Sequence, residues 1–157
     1  MEKKLTALMK ATELLAKSEQ SSAALRQKLL LRKFDENEVD AAIAKLQQHK
    51  YLDDEELCTR YFENLYSAGK LSVRQICMKL IQRGFDSAFV KNLIPADVDE
   101  HELNAANNAL EKKFRRQNFN DAKEQFKFKG KLWQYLASKG FSTEIISSAI
   151  ENFLAEE

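Results

Sequence analysis

One short pattern occurs three times in this chain of 157 residues, and it constrains the fold more than any other feature. The copies read RKFDENEV at residues 32–39, RGFDSAFV at 83–90 and KGFSTEII at 139–146. Their phenylalanines are 51 and 56 residues apart, at Phe34, Phe85 and Phe141. Self-similarity at a nearly fixed period is typical of proteins built from tandem supersecondary units. We therefore expect a repetitive fold.

Aliphatic residues recur at steps of four on both sides of each phenylalanine. They stand nine and five residues before it and five and nine residues after it: Leu25, Leu29, Val39 and Ile43; Ile76, Leu80, Val90 and Ile94; Leu132, Leu136, Ile146 and Ile150. This spacing places each set on one face of an α-helix. Each copy therefore predicts two amphipathic helices joined at the phenylalanine.

The residues at each join favour helix ends. Gly84 and Gly140 precede the phenylalanine, and glycine readily adopts the left-handed conformation that closes a helix as a Schellman motif. Lys33 replaces this glycine in the first copy, so a left-handed backbone there costs about 1 kcal/mol, or that join closes differently. Helix caps are predicted at Asp35, Asp86 and Ser142. Capping boxes are predicted for the pairs Asp35–Glu38, Ser72–Gln75 and Asp121–Glu124.

A further amphipathic helix precedes each pair. The second of these follows the acidic run at residues 53–56, which suits a helix N-terminus, and the third follows Pro95. The scarcity of glycine (four) and proline (one) disfavours an all-β fold. The expected fold class is all-α, with three tandem three-helix repeats at residues 1–50, 51–96 and 97–157 forming an elongated, curved array.

Composition indicates in which cellular compartment the protein is expected. No apolar run approaches the roughly 20 residues that cross a bilayer, and the first residues lack a signal-peptide cleavage site. Cys58 and Cys77 form no metal-binding spacing and suggest no oxidising compartment. A cytoplasmic protein with no membrane association is expected.

The residue types that carry catalysis do not converge in this sequence. His49 and His101 are far apart, and the two cysteines accompany apolar stripes, where buried hydrophobic roles are expected. The acidic run is better explained as a helix cap than as a metal site. Neither a phosphate-binding glycine loop nor a nucleophile elbow is present. We expect no enzymatic activity, no cofactor and no metal.

A locally basic stretch stands out in a chain whose net charge is only +1. Residues 111–139 contain nine basic and three acidic residues, with aromatic residues between them: Phe114, Phe119, Phe126, Phe128 and Trp133. Such a mixture can follow a phosphate backbone or contact an acidic protein. Alternatively, the aromatic residues form core and the lysines a solvated face, and the periodicity favours this for Phe128.

The segment HKYLDDEELCTRYFENLYSAGKLSVRQICMKLIQRGF, residues 49–85, resembles the RecX family of recombinase regulators. The positions that match the family pattern are Tyr51, Leu52, Asp53, Asp54, Gly69, Ile76, Leu80, Arg83 and Gly84. Residues 126–150 look like the third repeat of that family, and residues 7–34 fit its first repeat. The resemblance covers essentially the whole chain.

This resemblance implies tandem three-helix repeats that bind the RecA filament on DNA. It also implies inhibition or modulation of RecA ATP hydrolysis, strand exchange and the co-protease activity that triggers the SOS response. A monomer is expected, and single- or double-stranded DNA is a further partner through the basic C-terminal face. Two features depart from the family pattern. Lys33 stands at a position where the family pattern has glycine, and the net charge is low whereas many relatives look more basic.

The expected contact residues are all cations: Arg74, Lys79, Arg83, Lys112, Lys113, Arg115, Arg116, Lys127, Lys129 and Lys131. A helix over residues 72–83 would place Lys79 and Arg83 on one face. Two alternatives stay open. One is a stand-alone nucleic-acid-binding protein whose modules resemble helix-turn-helix readers, and the other is a helical scaffold for an unrelated protein.

Overall fold

The computed structural model describes residues 4–155. Within this range the chain forms nine α-helices and no β-strand, in three consecutive triplets: α1 (Ala7–Lys17), α2 (Ser22–Leu31) and α3 (Glu36–Gln48); α4 (Asp54–Ala68), α5 (Val73–Gln82) and α6 (Ser87–Asn92); α7 (Asp99–Lys113), α8 (Ala122–Ser138) and α9 (Thr143–Ala155). This confirms the all-α fold of tandem three-helix repeats. None of these helices is long and apolar enough to cross a membrane.

The helices form two compact units whose limits cut through the second triplet. The first unit comprises Met1–Tyr61 and Leu80–Val90, and the second comprises Phe62–Lys79 and Lys91–Glu157. The repeat boundaries after residues 50 and 96, and the curvature of the array, stay predictions.

Each unit contains a core in which the predicted apolar stripes meet. In the first unit, Leu25 and Leu29 of α2 pack with Val39 and Ile43 of α3, together with the small residues of α1. The core of the second unit contains Leu110, Phe128, Leu132, Leu136, Phe141, Ile146, Ile150 and Phe153, packed around Ala105, Ala106 and Ala149. The prediction that Phe128 belongs to the core is confirmed.

One stripe position of the middle repeat was predicted wrongly. The helix α6 ends at Asn92, so Ile94 lies beyond it and is only half-buried. The physical reason is Pro95, because a residue that precedes proline is driven away from the helical conformation. The stripe of this short helix is therefore limited to Val90.

All three predicted joins close as Schellman motifs. The N–H groups of Phe34, Phe85 and Phe141 donate to the carbonyls of Leu29, Leu80 and Leu136 at 3.4, 3.2 and 3.4 Å. The residues before them are left-handed, with φ of 65° at Lys33, 95° at Gly84 and 87° at Gly140. The first join thus has the same form as the others despite its lysine.

The predicted helix caps are present, but two of the three capping boxes are incomplete: Asp121 accepts from the N–H of Lys123 at 3.0 Å and not from that of Glu124. Ser72 and Gln75 exchange both hydrogen bonds of the box, each at 3.1 Å. Asp35 accepts from the N–H of Glu38, yet the Glu38 carboxylate accepts instead from the N–H of Ala7 at 2.9 Å. Its side chain therefore fixes the start of α1 and does not close the predicted box.

Two hydrogen bonds recur where one triplet meets the next. In the first unit, the Ser21 hydroxyl donates to the carbonyl of Arg83 at 2.6 Å, and the Ser22 N–H donates to the Asp54 carboxylate at 2.8 Å. In the second unit, Ser72 donates to the carbonyl of Lys139 at 2.5 Å, and the Val73 N–H donates to Glu102 at 3.2 Å. The serine hydroxyls and their carbonyl acceptors occupy equivalent positions of successive triplets, and in each case the next N–H donates to a carboxylate.

The glycine after each accepting carbonyl is required by this contact as well as by its backbone angle. A Cβ atom on Gly84 would lie 2.8 Å from the Ser21 hydroxyl oxygen and 3.0 Å from the Ala23 Cβ. One on Gly140 would lie 2.5 Å from Cδ and 3.0 Å from Cβ of Arg74. A side chain at either glycine therefore requires its facing side chains, Ser21 and Ala23 or Arg74, to shift.

Candidate functional site

The helix α8 has one buried face and one exposed face, and both carry aromatic residues. Phe128, Leu132 and Leu136 point into the core. On the opposite side, Phe126 is 77% exposed and Trp133 is 37% exposed. These two residues are about two helical turns apart. We define the outer face of α8 as Lys123, Phe126, Lys127, Lys129, Gly130, Lys131 and Trp133, all of which are exposed.

The lysines flank this aromatic pair on both sides. Lys123, Lys127 and Lys131 follow one another at intervals of four, so they form one row along the helix. Lys129 lies one turn before Trp133 and therefore belongs to the other side. Among the three lysines of α8 predicted as contacts, Lys127 and Lys131 thus share a row that Lys129 does not.

The structure separates the two readings of the basic stretch. Phe114, Phe119 and Phe153 surround Phe128, with ring centroids 6.1, 5.2 and 6.4 Å from its own. Those rings are part of the core or packed against it, as the solvated-face alternative requires. Phe126 and Trp133 are instead available to a partner.

Gly130 interrupts the outer face without any requirement from the fold. A Cβ atom at this position would find no atom within 4 Å. Glycine inside an exposed helix costs roughly 0.5–1 kcal/mol relative to alanine. The helix surface between Phe126 and Trp133 therefore carries no side chain at this position, and this lowers the stability of the helix.

Gly130→Ala should raise the free energy of unfolding by about 0.5–1 kcal/mol, because alanine has the higher helix propensity and meets no neighbour. Urea denaturation followed by circular dichroism measures the change. A lower free energy of unfolding would mean that Gly130 has a packing role that its open surroundings do not indicate.

The remaining predicted contacts in the last repeat lie around the end of α7. Lys112 and Lys113 are its last residues, and Lys113 Nζ lies 4.6 Å from the ring centroid of Tyr135. Arg115 and Arg116 follow in the connection to α8, where Arg115 is exposed. Arg116 is engaged within the protein, 3.2 Å from the Glu111 carboxylate and 5.4 Å from the Phe153 ring.

The three predicted contacts of the middle repeat occupy different surroundings. Arg74 is exposed but lies against Gly140. Lys79 lines a groove of the second unit. Arg83 follows the last residue of α5 in the first unit, where its guanidinium lies 5.0 Å from the Tyr61 ring and its carbonyl accepts from Ser21.

That groove, of about 720 Å³, was not apparent in the sequence. Four lysines from distant positions line it: Lys70, Lys79, Lys112 and Lys139. We call it the lysine groove. Only Lys79 and Lys112 were expected as contacts. Lys139 ends the basic stretch of residues 111–139 without being among the expected contacts, and neither a charge run nor helix spacing connects Lys70 to the others.

Groups suited to catalysis are poorly represented. Among residues 4–155 there is no cluster of three or more histidine, cysteine or acidic side chains that could hold a metal ion. Both cysteines are buried as predicted, and burial raises the pKa of the Cys77 thiol, which favours its unreactive protonated form. His49 is exposed directly after α3.

His101 and Glu102 are neighbours whose pKa values are shifted mainly by burial. The His101 ring stacks on Tyr66 with centroids 3.9 Å apart, and burial lowers its pKa. Burial raises the pKa of Glu102, an effect that the hydrogen bond from the Val73 N–H opposes. The Glu102 carboxylate thus accepts from the N–H at the start of α5, and the His101 ring packs on Tyr66 of α4.

Acidification should destabilise the protein through His101. Its pKa in the folded state lies below the ordinary 6.5, so the unfolded chain binds the proton first, and stability is lost as pH falls from about 6.5 through the folded pKa. The melting temperature of His101→Phe should therefore fall less between pH 7 and pH 5.5 than that of the unmodified protein. Glu102, with its raised pKa, changes stability in the opposite direction in both proteins. Identical pH profiles would contradict the assignment to His101.

Tandem three-helix repeats with an exposed basic and aromatic helix face define an all-α helical-repeat protein. Two family models match the chain: the first three-helix domain of RecX at residues 7–46 and the third three-helix domain of RecX at residues 99–150. The chain belongs to the RecX family, whose named relatives are regulatory proteins.

Similar proteins cover almost the whole chain. Regulatory protein RecX of Haemophilus influenzae is 31% identical over 139 residues, which are 87% of this chain and 88% of the relative. Regulatory protein RecX of Mannheimia succiniciproducens is 29% identical over 154 residues, 94% of each chain. The crystal structure of RecX from Lactobacillus salivarius has a TM-score of 0.75 at 19% identity and 94% coverage of both chains, so the likeness there concerns the fold.

Proposed function

We propose that this protein is a monomeric cytoplasmic regulator that binds the RecA filament on DNA and restrains its ATP hydrolysis, strand exchange and co-protease activity in the SOS response. It acts by binding and catalyses no reaction itself. Membership of a family of regulatory proteins supports the regulatory role. The partner and the activities follow from the resemblance of residues 49–85 to that family.

The observation that carries this proposal is the outer face of α8. A row of lysines neutralises phosphates of a nucleic-acid backbone, and aromatic rings beside it stack on bases or pack against protein. Phe126 is exposed although a phenylalanine gains stability from burial, so its position suits contact with a partner. A filament of protein on DNA offers phosphates and apolar protein surface together.

The repeated architecture suggests how binding restrains the filament. Consecutive triplets that contact more than one filament subunit would oppose movements between those subunits. ATP hydrolysis and strand exchange require such movements, so a bound regulator slows both.

Reversing the charge of Lys127, Lys129 and Lys131 to glutamate should weaken inhibition of the RecA ATPase by at least about tenfold, since three phosphate contacts become repulsive. The control reverses Lys28, Lys45 and Lys91, which are exposed and outside the outer face of α8. RecA ATP hydrolysis on single-stranded DNA is measured against added regulator, and circular dichroism verifies unchanged helicity. Equal inhibition by both triple variants would remove this face from the proposal.

A pull-down on RecA, with and without single-stranded DNA, tests the partner itself. Retention is expected on RecA filaments. Retention on DNA alone, with a steep salt dependence and no effect of RecA, would instead identify a stand-alone nucleic-acid-binding protein. Retention on neither would leave a helical scaffold for another protein.

A further inference from the structure

We propose that the lysine groove binds an acidic amphipathic peptide segment of a partner protein, in which carboxylates alternate with aliphatic side chains. This site is distinct from the outer face of α8 and does not depend on RecA being the partner. The groove lies wholly within the second unit, between the end of α4, α5, α7 and α8.

The lining of the groove is positively charged, which favours binding of an anion. Lys70, Lys79, Lys112 and Lys139 line it, and none of its lining residues is acidic. Within residues 4–155, the salt bridges join other cations to carboxylates and leave these four lysines without one. Like charges gathered around a concave, partly apolar surface concentrate counter-ions there. Carboxylates of a partner would supply the missing negative charge.

The floor of the groove distinguishes a peptide from a nucleic acid. It is formed by Leu65, Ala68, Leu71 and Ala109, which are aliphatic. Nucleic-acid bases bind most favourably on aromatic rings, whereas aliphatic surface suits leucine-like side chains. The one aromatic residue in the lining is Tyr135, and its ring already has Lys113 and Lys139 nitrogens 4.6 and 5.4 Å from its centroid.

Both amide side chains of the lining already use one polar atom within the protein, so the lysines are its main source of specificity. Gln75 is held in the capping box with Ser72, and Asn108 donates to the carbonyl of Gly69 at 2.9 Å. The volume of about 720 Å³ falls in the usual range of small binding sites, roughly 300–1,000 Å³. It therefore admits a few side chains of a short segment.

The test measures fluorescence anisotropy of a fluorescein-labelled synthetic peptide made of glutamate and leucine at helical spacing. A second peptide replaces every leucine by serine and keeps the charge, and a labelled oligothymidylate replaces the peptide in a third series. The unmodified protein should bind the leucine peptide at least about tenfold more tightly than the serine peptide, because only the former fills the aliphatic floor.

Two double charge-reversal variants test whether the leucine peptide binds in the lysine groove. Lys79→Glu combined with Lys112→Glu should weaken binding of the leucine peptide by at least about tenfold. Lys28→Glu combined with Lys45→Glu, which makes the same change in net charge in the first unit, should alter it by less than about twofold. The four substituted lysines of the two variants are all exposed, so both variants should keep the melting temperature of the unmodified protein.

Three results would overturn the assignment. Equal binding of the leucine and serine peptides would mean that charge alone acts. Equal effects of the two variants would place binding outside the groove. A larger loss of oligothymidylate binding than of peptide binding in the Lys79/Lys112 variant would make the groove a nucleic-acid site. Because no step uses RecA, any of these results leaves the proposed function intact.

Discussion

Gly84→Ala should lower the free energy of unfolding by about 2–4 kcal/mol, which is large for a change of one methyl group. The backbone at Gly84 has φ of 95°, which costs an alanine about 1–2 kcal/mol. The added Cβ would also lie 2.8 Å from the Ser21 oxygen and 3.0 Å from Ala23. Relief of that clash requires the Ser21–Arg83 hydrogen bond to lengthen.

The matched control is Lys33→Gly, which makes the opposite change at the equivalent join. Lys33 is left-handed and exposed, so glycine there should remove strain and raise the free energy of unfolding by up to about 1 kcal/mol. Urea denaturation with an unchanged m-value measures both variants. If Gly84→Ala cost no more than the backbone strain alone, the close contact with Ser21 would have no energetic weight.

The comparison between these joins explains why the sequence predicted the fold well and its junctions only in part. Stripe residues such as Leu29 and Leu136 are buried because helix periodicity alone places them on one face. Backbone angles alone explain the glycines at 84 and 140 and leave Lys33 as an exception. The structure adds that Gly84 lies against Ser21 and Ala23 of the preceding triplet, whereas Lys33 is exposed.

The sequence indicated which residues of the candidate site are charged, but it did not indicate how all of them are arranged in space. Helix periodicity correctly assigned Phe128 to the core, and the same reasoning leaves Phe126 on the opposite side. The lysine groove is different, because Lys70 and Lys139 come together only through tertiary packing. No local pattern in the sequence carries that information.

The second helices of the three triplets differ in length. The helices α2 and α5 have 10 residues and begin after Ser21 and Ser72, while α8 has 17 residues. The position equivalent to Ser72, thirteen residues before the phenylalanine, is Phe128 inside α8. At that position α8 continues as helix, and its added turns carry Lys123, Phe126 and Lys127.

Ser72→Ala should lower the free energy of unfolding by about 2–3 kcal/mol, because one side chain makes two hydrogen bonds. Its hydroxyl accepts from the Gln75 N–H at 3.1 Å as a helix cap and donates to the Lys139 carbonyl at 2.5 Å. Ser72 is fully buried, so water cannot replace either bond without entering the junction.

Asp121→Ala is the control that separates the two contributions. Asp121 caps α8 by accepting from the Lys123 N–H at 3.0 Å, and it is exposed. Its loss should cost about 1 kcal/mol, the usual value of a cap alone. Urea denaturation compares the variants, and the excess cost at Ser72 measures the bond to Lys139. Equal costs would mean that the junction is held by the packing of Gly140 against Arg74 and that the serine hydroxyl contributes only as a cap.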